Sequence, residues 1–162
     1  MTLKSSFPPA VAPDARLLIL GSLPGERSLA EQRYYAHPQN QFWRLLSPLT
    51  GRPLASMAYE DRLNVLKAKK IALWDVVATA RRRGSSDAAI QDATANDLAA
   101  LVRSLPDLRA VAFNGSAAAK IGTPLLAGET VELVTLPSSS PLHTVGAPNK
   151  QPAWDALAAY LA

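Results

Sequence analysis

The chain has 162 residues, 48% hydrophobic and 19% charged, with a net charge of +4, which is the size and balance of one globular domain with a single core. It has no cysteine and only two histidines, His37 and His143, which excludes disulfides, thiolate catalysis and cysteine-held zinc or iron–sulfur centres and leaves little for a histidine metal site. The start lacks the apolar stretch of a secretory signal and no apolar run approaches the ~20 residues of a membrane span, so a cytoplasmic protein is expected. The modest positive charge is compatible with a polyanion partner without requiring one.

Residues 1–15 are polar and Pro-rich and read as an extended lead-in. The run 16–20 (RLLIL) is apolar and stopped by Gly21, which suits a buried strand. It opens into GSLPGERS and then YYAHPQNQFW, where aromatic rings, a histidine and amides crowd together. Pro38 stiffens this piece. Asn40 falls just before a helix predicted over 41–50, where it can cap the helix or position a water or a base. Gly51 is placed to end that helix. A second helix is expected over 59–70, its basic end (Lys67, Lys69, Lys70) complementing the helix dipole.

A second strand is predicted over 71–77 (IALWDVV), followed by the polar stretch TARRRGSSD. A helix over 94–104 follows, with Thr94 and Asp97 resembling a capping box and Pro106 beyond its end. The third strand, 109–113 (RAVAF), breaks at Asn114-Gly115 and leads into the short helical piece SAAAKIG. The fourth, 131–136 (VELVTL), runs into PSSSP, and a last helix covers 151–161. Strand and helix patterns alternate, which predicts an α/β chain folded as a single domain over 1–162, with a parallel sheet covered by helices on both faces. In such a sheet every strand-to-helix loop emerges on the carboxyl edge, where ligands bind. The four loops there are the polar, Gly/Ser/Pro-rich segments of the chain, and their coincidence points to one composite site.

Each loop offers chemistry beside a plainer reading. Gly21, Ser22, Leu23 and Pro24 give a small-residue turn that lets backbone approach a ligand, and they match no nucleotide phosphate motif. Tyr34 or Tyr35 can stack on a flat ligand, while Phe42 and Trp43 are core residues by default. Trp74-Asp75 puts a carboxylate near a strand end, able to orient a water or accept from a ring N–H. Arg81, Arg82 and Arg83 form a basic loop that is either a solvated surface run or a phosphate contact. Asn114, after Phe113, is a turn residue or an amide that reads a base edge. Ser138, Ser139 and Ser140 lie between two prolines as a rigid clamp suited to phosphate.

GSLPG, AHPQNQFW, WDV, FNG and LPSSSP, in that order, resemble the uracil-DNA glycosylase superfamily, and within it the hypoxanthine-DNA glycosylase (DNA-deoxyinosine glycosylase) family. The resemblance spans roughly Phe7 to Trp154. It implies a three-layer α/β/α fold with a central four-stranded parallel sheet, and a monofunctional, metal- and cofactor-free glycosylase of base-excision repair. Such an enzyme flips a deaminated base, hypoxanthine or uracil, out of DNA and hydrolyses its glycosidic bond. Relatives carry a catalytic Asp or Asn just before the Pro of the first loop, and Leu23 occupies that position here. The resemblance passes the role to Asn40, which would hold the attacking water, with Asn114 as a second polar residue that binds the leaving base. Substrate contacts are expected from Gly21, Ser22, Leu23, Pro24, Tyr35, His37, Trp74, Asp75 and Phe113. DNA contacts are expected from Arg81, Arg82, Arg83 and Ser138–Ser140. The His of the relatives' last motif is Leu136 here. A monomer acting on DNA, with no membrane association, is expected. Two competing readings are a small serine hydrolase using Ser22, Asp75 and His143 in that chain order, and a DNA-binding relative without activity.

Overall fold

The computed structural model describes residues 3–141 and 146–162. In chain order its elements are β1 (Leu3–Ser5), β2 (Leu17–Gly21), α1 (Glu26–Glu31), α2 (Phe42–Thr50), α3 (Tyr59–Ala68), β3 (Ile71–Asp75), β4 (Val77–Arg81), β5 (Gln91–Ala95), α4 (Leu98–Arg103), β6 (Ala110–Asn114), α5 (Ser116–Leu125), β7 (Glu132–Leu136) and α6 (Ala147–Asp155). Short 3-10 turns at Leu54–Ser56, Asp87–Ala89 and Ala156–Tyr160 complete the set.

The four expected strands form a parallel sheet in the order β3-β2-β6-β7. β2 and β6 lie inside it and are buried at every residue, which is why RLLIL and RAVAF carry no polar alternation. Successive side chains still go to opposite faces. Leu17, Ile19, Leu73 and Ala112 join Phe42, Leu45, Leu46, Leu66 and Trp154 in one core cluster, against α2, α3 and α6. Leu18, Leu20, Val111 and Phe113 join Leu98, Val102, Ala118 and Ala119 in the other, against α4 and α5. The result is a three-layer α/β/α fold, as expected.

Several elements depart from the sequence reading. The lead-in is not merely extended: Leu3–Ser5 pairs antiparallel with β4, which pairs with β5, giving a second sheet of order β1-β4-β5. The strand expected over 71–77 is two strands, β3 and β4, belonging to different sheets. Thr94 does not start a helix, because it pairs with Thr79 in this second sheet. Asp97 alone caps α4, its side chain accepting from the Ala100 N–H. Gly51 ends α2 as expected, at φ 69°. The last helix begins earlier, at Ala147, and tightens into a 3-10 turn from Ala156. No helix among the described residues is long and apolar enough to cross a membrane.

Candidate active site at the carboxyl edge of the sheet

Strand register sets the floor of the site. Gly21 is level with Asp75 across β2 and β3, and Asn114 is level with Leu136 across β6 and β7. These residues end their strands side by side, with β2 at the point where the connections run off to either side of the sheet. Parallel sheets bind ligands in that crevice. A cavity of about 420 Å³ opens there, within the range of small-molecule pockets.

Gly21 belongs on this floor because of what lies over it. A Cβ there would stand 2.6 Å from Asp75 Oδ1 and 3.0 Å from the Tyr35 hydroxyl. Asp75 is buried, and its Oδ2 meets no hydrogen-bond partner among the described residues. Burial pushes its pKa up to about 7, with the nearby Asp87 carboxylate adding to the rise and Arg82 opposing it. The Tyr35 hydroxyl, also buried, lies beside the Asn114 amide without closing a hydrogen bond. Burial and the Asp75 charge both raise its pKa.

Two walls are stitched together by a polar chain. Asn40 Oδ1 accepts from the Phe42 N–H at 2.9 Å and from Ser139 Oγ at 2.8 Å. Ser139 Oγ accepts in turn from Asn114 Nδ2 at 2.9 Å, while the Ser139 N–H donates to Asn114 Oδ1 at 2.8 Å. The backbone adds Gln41 N–H to Ser139 O at 2.9 Å. Behind this seam Lys150, fully buried, donates to Gln41 Oε1 at 2.7 Å. Asn40 therefore serves α2, by satisfying the N–H of its first residue, and lines the cavity as well. The N-cap position itself is taken by Gln41, so Asn40 supports the helix start from one residue before the cap.

The aromatic residues of YYAHPQNQFW chiefly hold the wall in place. Tyr35 stacks on Phe42 with ring centroids 3.9 Å apart, and its carbonyl accepts from Trp43 Nε1. Tyr34 is buried and donates to the Pro8 carbonyl. Both tyrosines also line the cavity, Tyr35 half-buried with one ring face on Phe42. Trp154 fixes the start of the PSSSP loop by donating to Pro137 O at 3.0 Å.

Of the residues expected to act, Gly21, Ser22, Leu23, Pro24, Tyr35, His37, Asn40, Asp75, Asn114 and Ser138, Ser139 and Ser140 line one cavity. Four others do not. Trp74 turns its indole N–H to the Phe7 carbonyl at 2.9 Å. Phe113 points to the opposite face of the sheet, its ring packed on Gly122 of α5, as alternation with Asn114 requires. Arg81 lies away from the cavity, near Asp92. Arg82 corrects the sequence reading most sharply. Only 1% exposed, it grips the loop it was expected to flank: its guanidinium donates to the carbonyls of Leu23, Pro24 and Gly84, and it pairs with Asp87 at 3.9 Å. Arg83 remains exposed.

Sequence reasoning missed Asp87 and Lys150. Asp87 lines the cavity and accepts from Ser22 Oγ at 2.5 Å; only its place in the polar stretch after TARRRG hinted at this. Nothing in PNKQPAW distinguishes Lys150. The Ser22 hydroxyl donates to Asp87 and not to Asp75, the carboxylate of the hydrolase reading. His143 lies outside them.

A family model for the uracil DNA glycosylase superfamily matches residues 8–161. The chain is 41% identical to a protein named hypoxanthine DNA glycosylase from Methanosarcina acetivorans, covering 96% of this chain and 98% of that one. A protein of the same name from Methanosarcina barkeri is 38% identical over 93% of this chain and 95% of its own. The fold superimposes on the solution NMR structure of a candidate uracil DNA glycosylase from Methanosarcina acetivorans with a TM-score of 0.89. That pair is 40% identical and covers 99% of both chains.

Proposed function

The chain belongs to the uracil DNA glycosylase superfamily, and on that premise we propose that it is a monofunctional DNA glycosylase of base-excision repair. It hydrolyses the N-glycosidic bond of a deaminated base, hypoxanthine or uracil, flipped out of DNA. Two near-full-length relatives named for hypoxanthine support the first of these bases. The observation that carries the reading is the polar cavity at the carboxyl edge, floored by Gly21, Asp75 and Asn114 and walled by Asn40 and Ser139. Its volume of about 420 Å³ suits a single extruded base. Flipping costs a few kcal/mol and least for a mispaired base, which favours deaminated bases at the outset.

In the reaction the C1′–N bond breaks with its electron pair passing to the base. A water oxygen bonds to C1′ and its proton leaves to solvent. Positive charge grows on the sugar and negative charge on the base, so fixed dipoles in a water-poor pocket lower the barrier. On this reading Asn114 and the first loop meet the base, Ser138 and Ser140, which line the same cavity, meet a phosphate, and the exposed Arg83 contacts DNA. We take the acting unit to be a monomer, working in the cytoplasm with its DNA.

Duplex and single-stranded oligonucleotides carrying one deoxyinosine or deoxyuridine test this directly. Alkali cleavage at the lesion after incubation is expected for at least one of them. Salt-dependent DNA binding with no alkali-labile site in any substrate contradicts the proposal and favours an inactive DNA-binding relative.

A further inference from the structure

The direction of the Asn40–Ser139–Asn114 chain is fixed by backbone, and this decides what Asn40 can offer a substrate. An amide oxygen has two acceptor positions, and the amide nitrogen only donates. The Phe42 N–H must find an acceptor, so the Asn40 atom 2.9 Å from it is oxygen. The Ser139 N–H likewise makes its Asn114 partner oxygen, at 2.8 Å. Asn114 Nδ2 is therefore the atom that meets Ser139 Oγ, and it donates. Having accepted there, the Ser139 hydroxyl gives its own proton to Asn40 Oδ1. Both acceptor positions of Asn40 are thereby occupied inside the protein. Its Nδ2 meets no partner among the described residues, and the side chain lines the cavity.

The geometry points to Asn40 acting as a hydrogen-bond donor to the departing base, with Ser139 as the positioning residue that holds it in that orientation. This rests on the glycosylase reading and replaces the water-holding role that the family resemblance implies for Asn40, because a water held for attack is activated by an acceptor. An N–H of Asn40 would instead draw electron density from that water's oxygen. The same N–H aimed at an acceptor atom of the base strengthens as the C1′–N bond breaks and the electron pair moves onto the base. That is the differential interaction which lowers a barrier. Asn114 is oriented by the same bonds, its oxygen accepting from the Ser139 N–H and its nitrogen donating to Ser139 Oγ, with the amide beside the Tyr35 hydroxyl.

Asn40→Asp separates the two roles. A carboxylate keeps an oxygen for Phe42 N–H and for Ser139 Oγ, so the wall stays formed, while the group facing the base changes from donor to anion. Single-turnover excision from the lesion duplex that wild type cleaves would be compared for wild type, Asn40→Asp and Asn40→Ala, at alkaline pH where the new carboxyl is ionised. Thermal unfolding would verify each fold. The donor role predicts a loss of about 100-fold or more for both variants, with Asn40→Asp no faster than Asn40→Ala. An Asn40→Asp protein faster than Asn40→Ala overturns it, because only a water acceptor gains from a carboxylate. Ser139→Ala should slow excision about ten-fold, the equivalent of one lost hydrogen bond, and Ser139→Thr, which keeps the hydroxyl, should restore most of that rate. An unchanged rate in Ser139→Ala removes Ser139 from the scheme. If wild type releases no base at all, the glycosylase reading fails and this role with it; if wild type is active and only the Asp/Ala order is reversed, the donor role alone fails.

Discussion

Asp75 ends its strand with Oδ1 over Gly21 and Oδ2 without a hydrogen-bond partner, and its proton is held up to about pH 7 mainly by burial. A carboxyl bound more tightly to its proton in the fold than in the unfolded chain favours the fold at low pH. That contribution is complete below the ordinary value of 3.8 and is lost as pH rises through about 7. Thermal unfolding should therefore show a Tm that falls across this interval on account of Asp75. Asp75→Asn should flatten that limb and raise Tm on its alkaline side. A variant with the wild-type slope would show that Asp75 is not buried as described. Such a destabilising group at a cavity floor marks a site kept for ligand chemistry rather than for stability.

The loop from Arg81 to Ile90 shows how one element can hold residues of opposite character. Three consecutive arginines look alike in sequence, yet Arg82 is enclosed by the Leu23 and Pro24 carbonyls while Arg83 is exposed. Those carbonyls come from more than fifty residues away, so no local pattern could show which arginine turns inward. Arg82→Met should cost about 1–3 kcal/mol in urea unfolding, because buried carbonyls lose their donor, and should slow excision by loosening the first loop. Arg83→Ala should leave stability unchanged and reduce the salt slope of DNA binding by about one. The opposite assignment, with Arg82→Met changing only the salt slope, would mean the loop opens on DNA.

Across the molecule, the parallel sheet was legible because its central strands are buried on both faces and therefore apolar without interruption. The second sheet was not. β5 (QDATA) is exposed throughout and β1 spans three residues, so neither has the period-2 alternation that betrays a half-buried strand. The site was legible as a set of loops, since parallel connections bring strand ends to one edge, and Asn40, Asp75, Asn114 and the serines do meet there. Its internal wiring was not. Which amide atom faces the cavity depends on hydrogen bonds between Asn40, Asn114 and Ser139, which are distant in the chain. The alternation that sends Asn114 to the cavity and Phe113 to α5 was present in the sequence and would have removed Phe113 from the substrate contacts. Release of an intact base by hydrolysis at this assembled edge can be read by mass spectrometry of the small-molecule fraction from wild type with a deoxyinosine or deoxyuridine duplex. Free hypoxanthine or uracil should accumulate, with a strand that stays whole until alkali is added. No free base from either duplex, or a strand cut without alkali, would contradict it.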